Sequence, residues 1–227
     1  MRPIAIAYCA AVSLVATALT LILAITSDGI RGDVVARFFV VAAGAAVAQL
    51  FVVHTDRSQT YHTTLVFLLA AVLLLPAALL PLVAIAQHIP DWLKNHHRLR
   101  YTVFNTANHA LNMLCAAVAA DVVAGGATYP AARWAAGGAV AVIVLVVSNH
   151  VLLGGVISLT RDYTLRETKL FTAASIAADV VPAALGIALA SFLLSAPLVA
   201  PAILVPLVVL HRSLGIVVQR RLQLAPS

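Results

Sequence analysis

Charge is scarce in this chain. Of its 227 residues only 10% are Asp, Glu, Lys or Arg, whereas 63% are hydrophobic, and the mean hydropathy is +1.03. A soluble globular domain carries about 25% charged residues, so a water-soluble fold is excluded and an integral membrane protein is expected. Cysteine is scarce too: Cys9 and Cys115 both sit inside apolar runs, which excludes a disulfide framework and leaves them as small buried hydrophobes. Catalytic signatures are missing. There is no HExxH zinc helix, GxSxG elbow, Walker loop or GxGxxG turn, and no nucleophile has an activating base at helical spacing, so no enzyme activity is expected. The three Gly-Gly pairs, 125–126, 137–138 and 154–155, fall at helix ends or within apolar spans, where glycine lets helices pack closely. The net charge of +6 does not indicate nucleic acid, because the basic residues lie in short gaps between apolar runs, where loops facing an anionic leaflet keep them.

What is present is length. A bilayer core needs roughly 20 apolar residues per helix, and seven hydrophobic segments approach that: Pro3–Thr26, Val34–Val53, Thr63–Gln87, Val103–Ala124, Ala135–Leu159, Phe171–Leu194 and Pro197–Val217. The expected fold is all-α, a polytopic membrane helix bundle. Residues 1–217 form a single transmembrane domain and residues 218–227 a short tail. The first segment follows Arg2, exceeds the roughly 7–15 apolar residues of a signal peptide, and is expected to remain as an anchor. The third is broken by Pro76 and Pro81 in "AAVLLLPAALLPLVAIA", since each proline removes a backbone donor and pushes its predecessor out of helical geometry. It is either one kinked span or a re-entrant hairpin.

Basic residues set the orientation. With seven spans, Arg31, Arg37, Lys94, Arg98, Arg100, Arg161, Arg166, Lys169, Arg212, Arg220 and Arg221 fall on one side, against Arg2, Arg57 and Arg133 on the other. That is a strong positive-inside signal. If the third segment is a hairpin, Arg2 and Arg57 exchange sides with Arg31 and Arg37, which join Arg133 on the minority side, and the eleven-to-three ratio is unchanged. Both alternatives put "HIPDWLKNHHRLR", "TRDYTLRETK" and the C-terminus in the cytoplasm of a cell-membrane protein; the side of the amino terminus stays open.

Polar residues inside the spans mark the candidate site. Asn105, Asn108, His109 and Asn112 follow the i, i+3, i+4, i+7 pattern, so on a helix they form one stripe. Lipid offers amides nothing to bond, so the stripe must face other helices or a wet cavity. The next segment carries Ser148, Asn149 and His150, and the one after it Asp179. An ionisable residue in an apolar span costs at least roughly 2.5 kcal/mol if unpaired. Counted along each helix from its cytoplasmic end, His109 lies about 9 Å deep, the Asn149–His150 pair about 14 Å and Asp179 about 12 Å. A shared ligand pocket between the fourth, fifth and sixth segments is expected, with interhelical glue as the alternative for the asparagines. His109, His150 and Asp179 lack within-helix ligand spacing, so no metal is expected. Asp121 falls off the stripe, near the far interface, and His96–His97 reads as loop surface.

The string "YHTTLVFLLAAVLLLPAALLPLVAIAQHIPDWLKNHHRLRYTVFNTANHALN", the later "LRETKLF" and the closing "PLVVLHRSL" resemble the multi-pass amino-terminal sensor module of actinobacterial GGDEF-type diguanylate cyclases and related signalling proteins, over roughly Tyr61 to Leu214. The resemblance implies a membrane sensing module whose last helix leads toward a cytoplasmic output domain, in cyclic-di-GMP signalling. Thirteen residues follow Leu214 here, with no GG[DE]EF loop and no HD metal motif, so cyclase or phosphodiesterase activity does not carry over. A small-solute transport component and a structural membrane subunit are the alternatives. Expected partners are membrane lipid, a small-molecule ligand, a cytoplasmic signalling protein and a second copy of the chain; no cofactor is expected.

Overall fold

The computed structural model of the protein describes residues 2–25, 32–51, 53–54, 60–61, 63–96, 98–209 and 212–213. Seven α-helices carry the fold: α1 (Pro3–Ile25), α2 (Gly32–Leu50), α3 (Leu65–Leu74), α4 (Leu80–Asn95), α5 (Leu99–Ala124), α6 (Ala132–Arg161) and α7 (Ala173–Ser195). A helical segment, Pro197–Val209, follows α7 and begins as a 3₁₀ turn. A two-stranded antiparallel ribbon, β1 (Val53–His54) with β2 (Thr60–Tyr61), lies between α2 and α3. Five helices, α1, α2, α5, α6 and α7, are long and apolar enough to cross a membrane. Among the described residues the seven expected segments thus correspond to five full-length helices and shorter pieces. The end of the last expected span and the tail with Arg220 and Arg221 lie outside the described residues.

The expected break in the third segment occurs at Pro76. Leu75 caps α3 with extended backbone (φ −114°, ψ 146°), the conformation a following proline imposes. A 3₁₀ turn, Ala77–Leu79, then leads into α4. Pro81 breaks nothing, because it falls in the first turn of α4, where the missing N–H would have no intrahelical partner anyway. The string from His88 expected as loop is instead helical as far as Asn95, with Pro90 inside the helix. Helix α4 ends at His96, in left-handed conformation (φ 48°).

Side-chain pairs give the direction of each helix. Arg2 is ion-paired with Asp162, and the Tyr8 hydroxyl donates to the Leu152 carbonyl at 3.0 Å. The start of α1 is therefore at the same end of the bundle as the turn between α4 and α5 and the loop between α6 and α7. The Arg2 guanidinium holds the exposed Asp162 carboxyl below its ordinary range by hydrogen bonding. At the opposite end, Val72 and Leu73 share a cavity with Asp121, Tyr129 and Trp134. Helix α3 thus climbs to that end, and α4 returns, placing His88 beside His109. The third segment folds back on itself. Its arms diverge, α3 packing along α7 and α4 along α2 and α5.

Two glycines let helices touch backbone to backbone. A Cβ on Gly186 of α7 would lie 2.6 Å from the Val66 carbonyl oxygen, and one on Gly137 of α6 would lie 2.8 Å from that of Ala120. Around these contacts the core is packed with Leu65, Leu68, Leu69, Leu80, Met113, Leu114 and Leu145, all fully buried. Outward faces carry exposed Leu14, Leu21, Phe39, Val122, Ile143 and Val147, as lipid-facing helix surfaces do.

The fold-back makes a topology prediction. In a background with Cys9→Ala and Cys115→Ala, single cysteines at Arg2, Asn95 and Thr164 should all resist a membrane-impermeant thiol reagent in intact cells and react after lysis. A cysteine at Thr128 should react from outside. Opposite behaviour of positions 2 and 164 would overturn the arrangement.

Candidate functional site

Three helices each bear an amide followed directly by a histidine: Gln87–His88 on α4, Asn108–His109 on α5 and Asn149–His150 on α6. Consecutive residues of an α-helix point about 100° apart, so each doublet can face two neighbouring helices at once. That is what happens. Gln87 Nε2 donates to Gln49 Oε1 of α2 at 2.8 Å. His88 Nε2 and His109 Nδ1 are 3.0 Å apart, their rings parallel to within 5°, so one nitrogen holds the proton that the other accepts. Asn108 Nδ2 donates to Asn149 Oδ1 at 2.8 Å, and Asn112 Nδ2 donates to the same oxygen at 3.3 Å. His150 Nδ1 lies 3.7 Å from Asp179 Oδ2 of α7. A polar layer thus crosses α2, α4, α5, α6 and α7.

The expected residues divide unequally. Asn108, His109, Asn112, Asn149 and His150 are buried and joined in this layer. Asp179 sits at its end, its side chain 15% exposed. Asn105 is exposed and lines a separate cavity between α1, α5 and α6. Ser148 turns to its own helix, donating to the Val144 carbonyl at 2.6 Å, which is how serine satisfies itself inside an apolar helix. Asp121 is exposed at the opposite end. Sequence reasoning missed Gln49, Gln87 and His88. His88, 4% exposed, opens a string that reads as loop; the repeated amide–histidine dipeptide is the signal that recovers it.

The layer has a surplus of acceptors. The Nδ1 of His150 faces the Val146 carbonyl at 2.9 Å and so carries the hydrogen, which leaves Nε2 as a lone pair. Among the described residues that atom, with Gln87 Oε1, Asn108 Oδ1 and Asn112 Oδ1, is buried without a hydrogen-bond partner. An orphaned buried group costs about 1–3 kcal/mol, so the layer trades stability for a defined arrangement of helices. It does not form a proton wire, because an amide pair separates the two histidine links and amides have no titratable proton to hand on. Among the described residues no three His, Cys, Asp or Glu side chains converge as a metal site. Comparison with protein-family profiles, curated proteins and solved structures gives no match.

Proposed function

We propose that this chain is a sensory module of the cell membrane, which recognises a ligand at the level of the bilayer and passes the resulting helix movement to a cytoplasmic signalling partner. The observation that carries the reading is the polar layer. Helix α5 is bonded on one side through His109 to α4 and on the other through Asn108 to α6, so a small rotation of α5 disturbs both neighbours together. Such a bonded layer has discrete alternatives rather than a continuum, and two-state elements of this kind carry coupling between distant sites. The excess of basic residues at the end bearing Lys94, Arg98, Arg161 and Arg166 favours that end as cytoplasmic. The resemblance to cyclase sensor modules agrees with a signalling role, and no catalysis by the chain itself is proposed. Transport is less favoured: the helix break at Leu75–Leu79 lies about 12 Å along α4 from His88 and does not border the polar layer, whereas interrupted transporter helices line the binding site.

The test joins stability to movement. With the chain in nanodiscs, Asp179→Asn and His150→Gln should couple by about 0.5–2 kcal/mol in thermal unfolding, and Asp179→Asn should shift the distance distribution between spin labels at Asn95 and Thr164. Asp121→Asn should leave that distribution unchanged. Zero coupling together with an unshifted distribution would reduce the layer to helix glue and leave the structural-subunit reading. Solute uptake by proteoliposomes would favour transport.

A further inference from the structure

We propose that the cavity at the Asp121 end of the bundle binds a small organic ammonium group. It holds about 460 Å³, within the range of ligand sites, about 300–1,000 Å³. Its walls differ in chemistry. Asp121 comes from the last turn of α5, one turn before the left-handed Gly125 that ends the helix. Tyr129, from the turn that follows, and Trp134, from the first turn of α6, meet edge to face, their centroids 5.3 Å apart and their planes at 84°. Val72 and Leu73 of α3, Ala120 of α5 and Leu194 of α7 complete an apolar lining.

Among the described residues no ion pair holds the Asp121 carboxylate. Arg133 stands at the same end, its guanidinium beside Gly125, where a Cβ would lie 2.7 Å from it, but it does not line the cavity. The charge facing a guest is therefore negative. The carbonyl end of the α5 macrodipole adds to it, and aromatic rings attract a cation through their quadrupoles. A metal ion would want several oxygen ligands, whereas Asp121 supplies the only carboxylate on these walls. An anion would be repelled. A substituted ammonium matches all three surfaces: its charge meets Asp121, its methyl groups the two rings, and its alkyl part the apolar lining. A free ammonium compound and a choline or ethanolamine headgroup share this chemistry. The cavity is at the opposite end of α5 from Asn105, and the inference does not depend on the polar layer.

Choline is the probe, and dimethylbutanol its uncharged isostere. The chain carries two tryptophans, so Trp92→Phe leaves Trp134 as a fluorescence reporter, and calorimetric titration in phosphatidylglycerol nanodiscs gives affinities for every variant. Choline should bind and change the Trp134 emission; dimethylbutanol at the same concentration should do neither. Asp121→Asn should weaken choline binding at least about tenfold. Trp134→Leu should weaken it about 5- to 30-fold, the range for a cation over a ring, whereas Trp134→Phe keeps a ring and should keep most of the affinity. Glu167→Gln removes the same charge from the loop between α6 and α7, at the other end of the bundle, and should change nothing. Thr128 also lines the cavity, so in a Cys9→Ala, Cys115→Ala background choline should slow the reaction of the Thr128→Cys chain with an impermeant thiol reagent. Phosphatidylcholine nanodiscs identify the source: undiminished choline affinity there marks a soluble compound as occupant, and competition marks the lipid headgroup, each of them supporting an ammonium site. Equal binding of dimethylbutanol, undiminished binding in Asp121→Asn, or equal loss in Glu167→Gln would overturn the proposal. So would loss of binding in Arg133→Gln, which a negatively charged cavity should keep or tighten. The Asp179 experiment is run without choline, so the two ideas fall separately.

Discussion

Asn149→Leu should destabilise the protein by about 2–4 kcal/mol, measured by reversible unfolding in mixed micelles. Asn149 Oδ1 accepts from both Asn108 and Asn112, and replacing it with an isosteric apolar group orphans two buried donors at about 1–3 kcal/mol each. Interhelical hydrogen bonds in membranes average only about 0.6 kcal/mol and reach about 1.7 in double-mutant cycles, so the loss comes mainly from the unpaired donors. The triple replacement Asn108→Leu, Asn112→Leu, Asn149→Leu should therefore recover much of the stability, because no partner is left behind. It should also lose the response to Asp179→Asn in the spin-label experiment. A single Asn149→Leu chain as stable as the parent would mean that the amide contacts do not form, and the layer would lose its centre.

Gly186→Ala should cost about 1–3 kcal/mol, the range for overpacking a well-filled core. The new methyl would sit 2.6 Å from the Val66 carbonyl oxygen and 2.8 Å from Leu69 Cβ. The first of these contacts is backbone and has no rotamer in which to escape, so α3 must move off α7. Gly32→Ala is the control, since among the described residues nothing lies within 4 Å of its Cβ position, and it should stay within about 0.5 kcal/mol of the parent. Gly137→Ala, 2.8 Å from the Ala120 oxygen, should resemble Gly186→Ala but loosen α5 from α6. If Gly186→Ala were neutral, α3 would not lie against α7, and the fold-back of the third segment would have to be redrawn.

The inward turn of the polar stripe was legible in the sequence. The spacing of Asn105, Asn108, His109 and Asn112 put them on one helical stripe, and lipid's inability to satisfy amides predicted that the stripe turns inward. For Asn108, His109 and Asn112 it does; Asn105, one turn nearer the loop end, is exposed beside a cavity instead. Ser148 sat beside Asn149 in sequence but bonds its own helix, because residues one apart point to different faces. His88 was lost for a local reason: the charged and proline-bearing string after it reads as loop, yet Pro90 is accommodated within α4. Gln49 carries no pattern of its own, and only the meeting of α2 with α4 pairs it with Gln87.

Sequence alone determined that this is a helical membrane protein and which residues are too polar to face lipid. Both follow from local physics: backbone groups in a bilayer must be satisfied within the segment, and an unpaired polar side chain there is costly wherever the segment goes. It could not determine the path of the third segment or the side of the amino terminus, because the count of basic residues is identical for a kinked span and a hairpin. The contacts Arg2–Asp162, Tyr8–Leu152 and His88–His109 fold the third segment back and put the start of α1 at the same end of the bundle as the loop between α6 and α7. Direction and pairing are relations between helices distant in the chain, set by how glycine-lined surfaces such as Gly186 and Gly137 fit their neighbours. No periodicity within one segment records that fit.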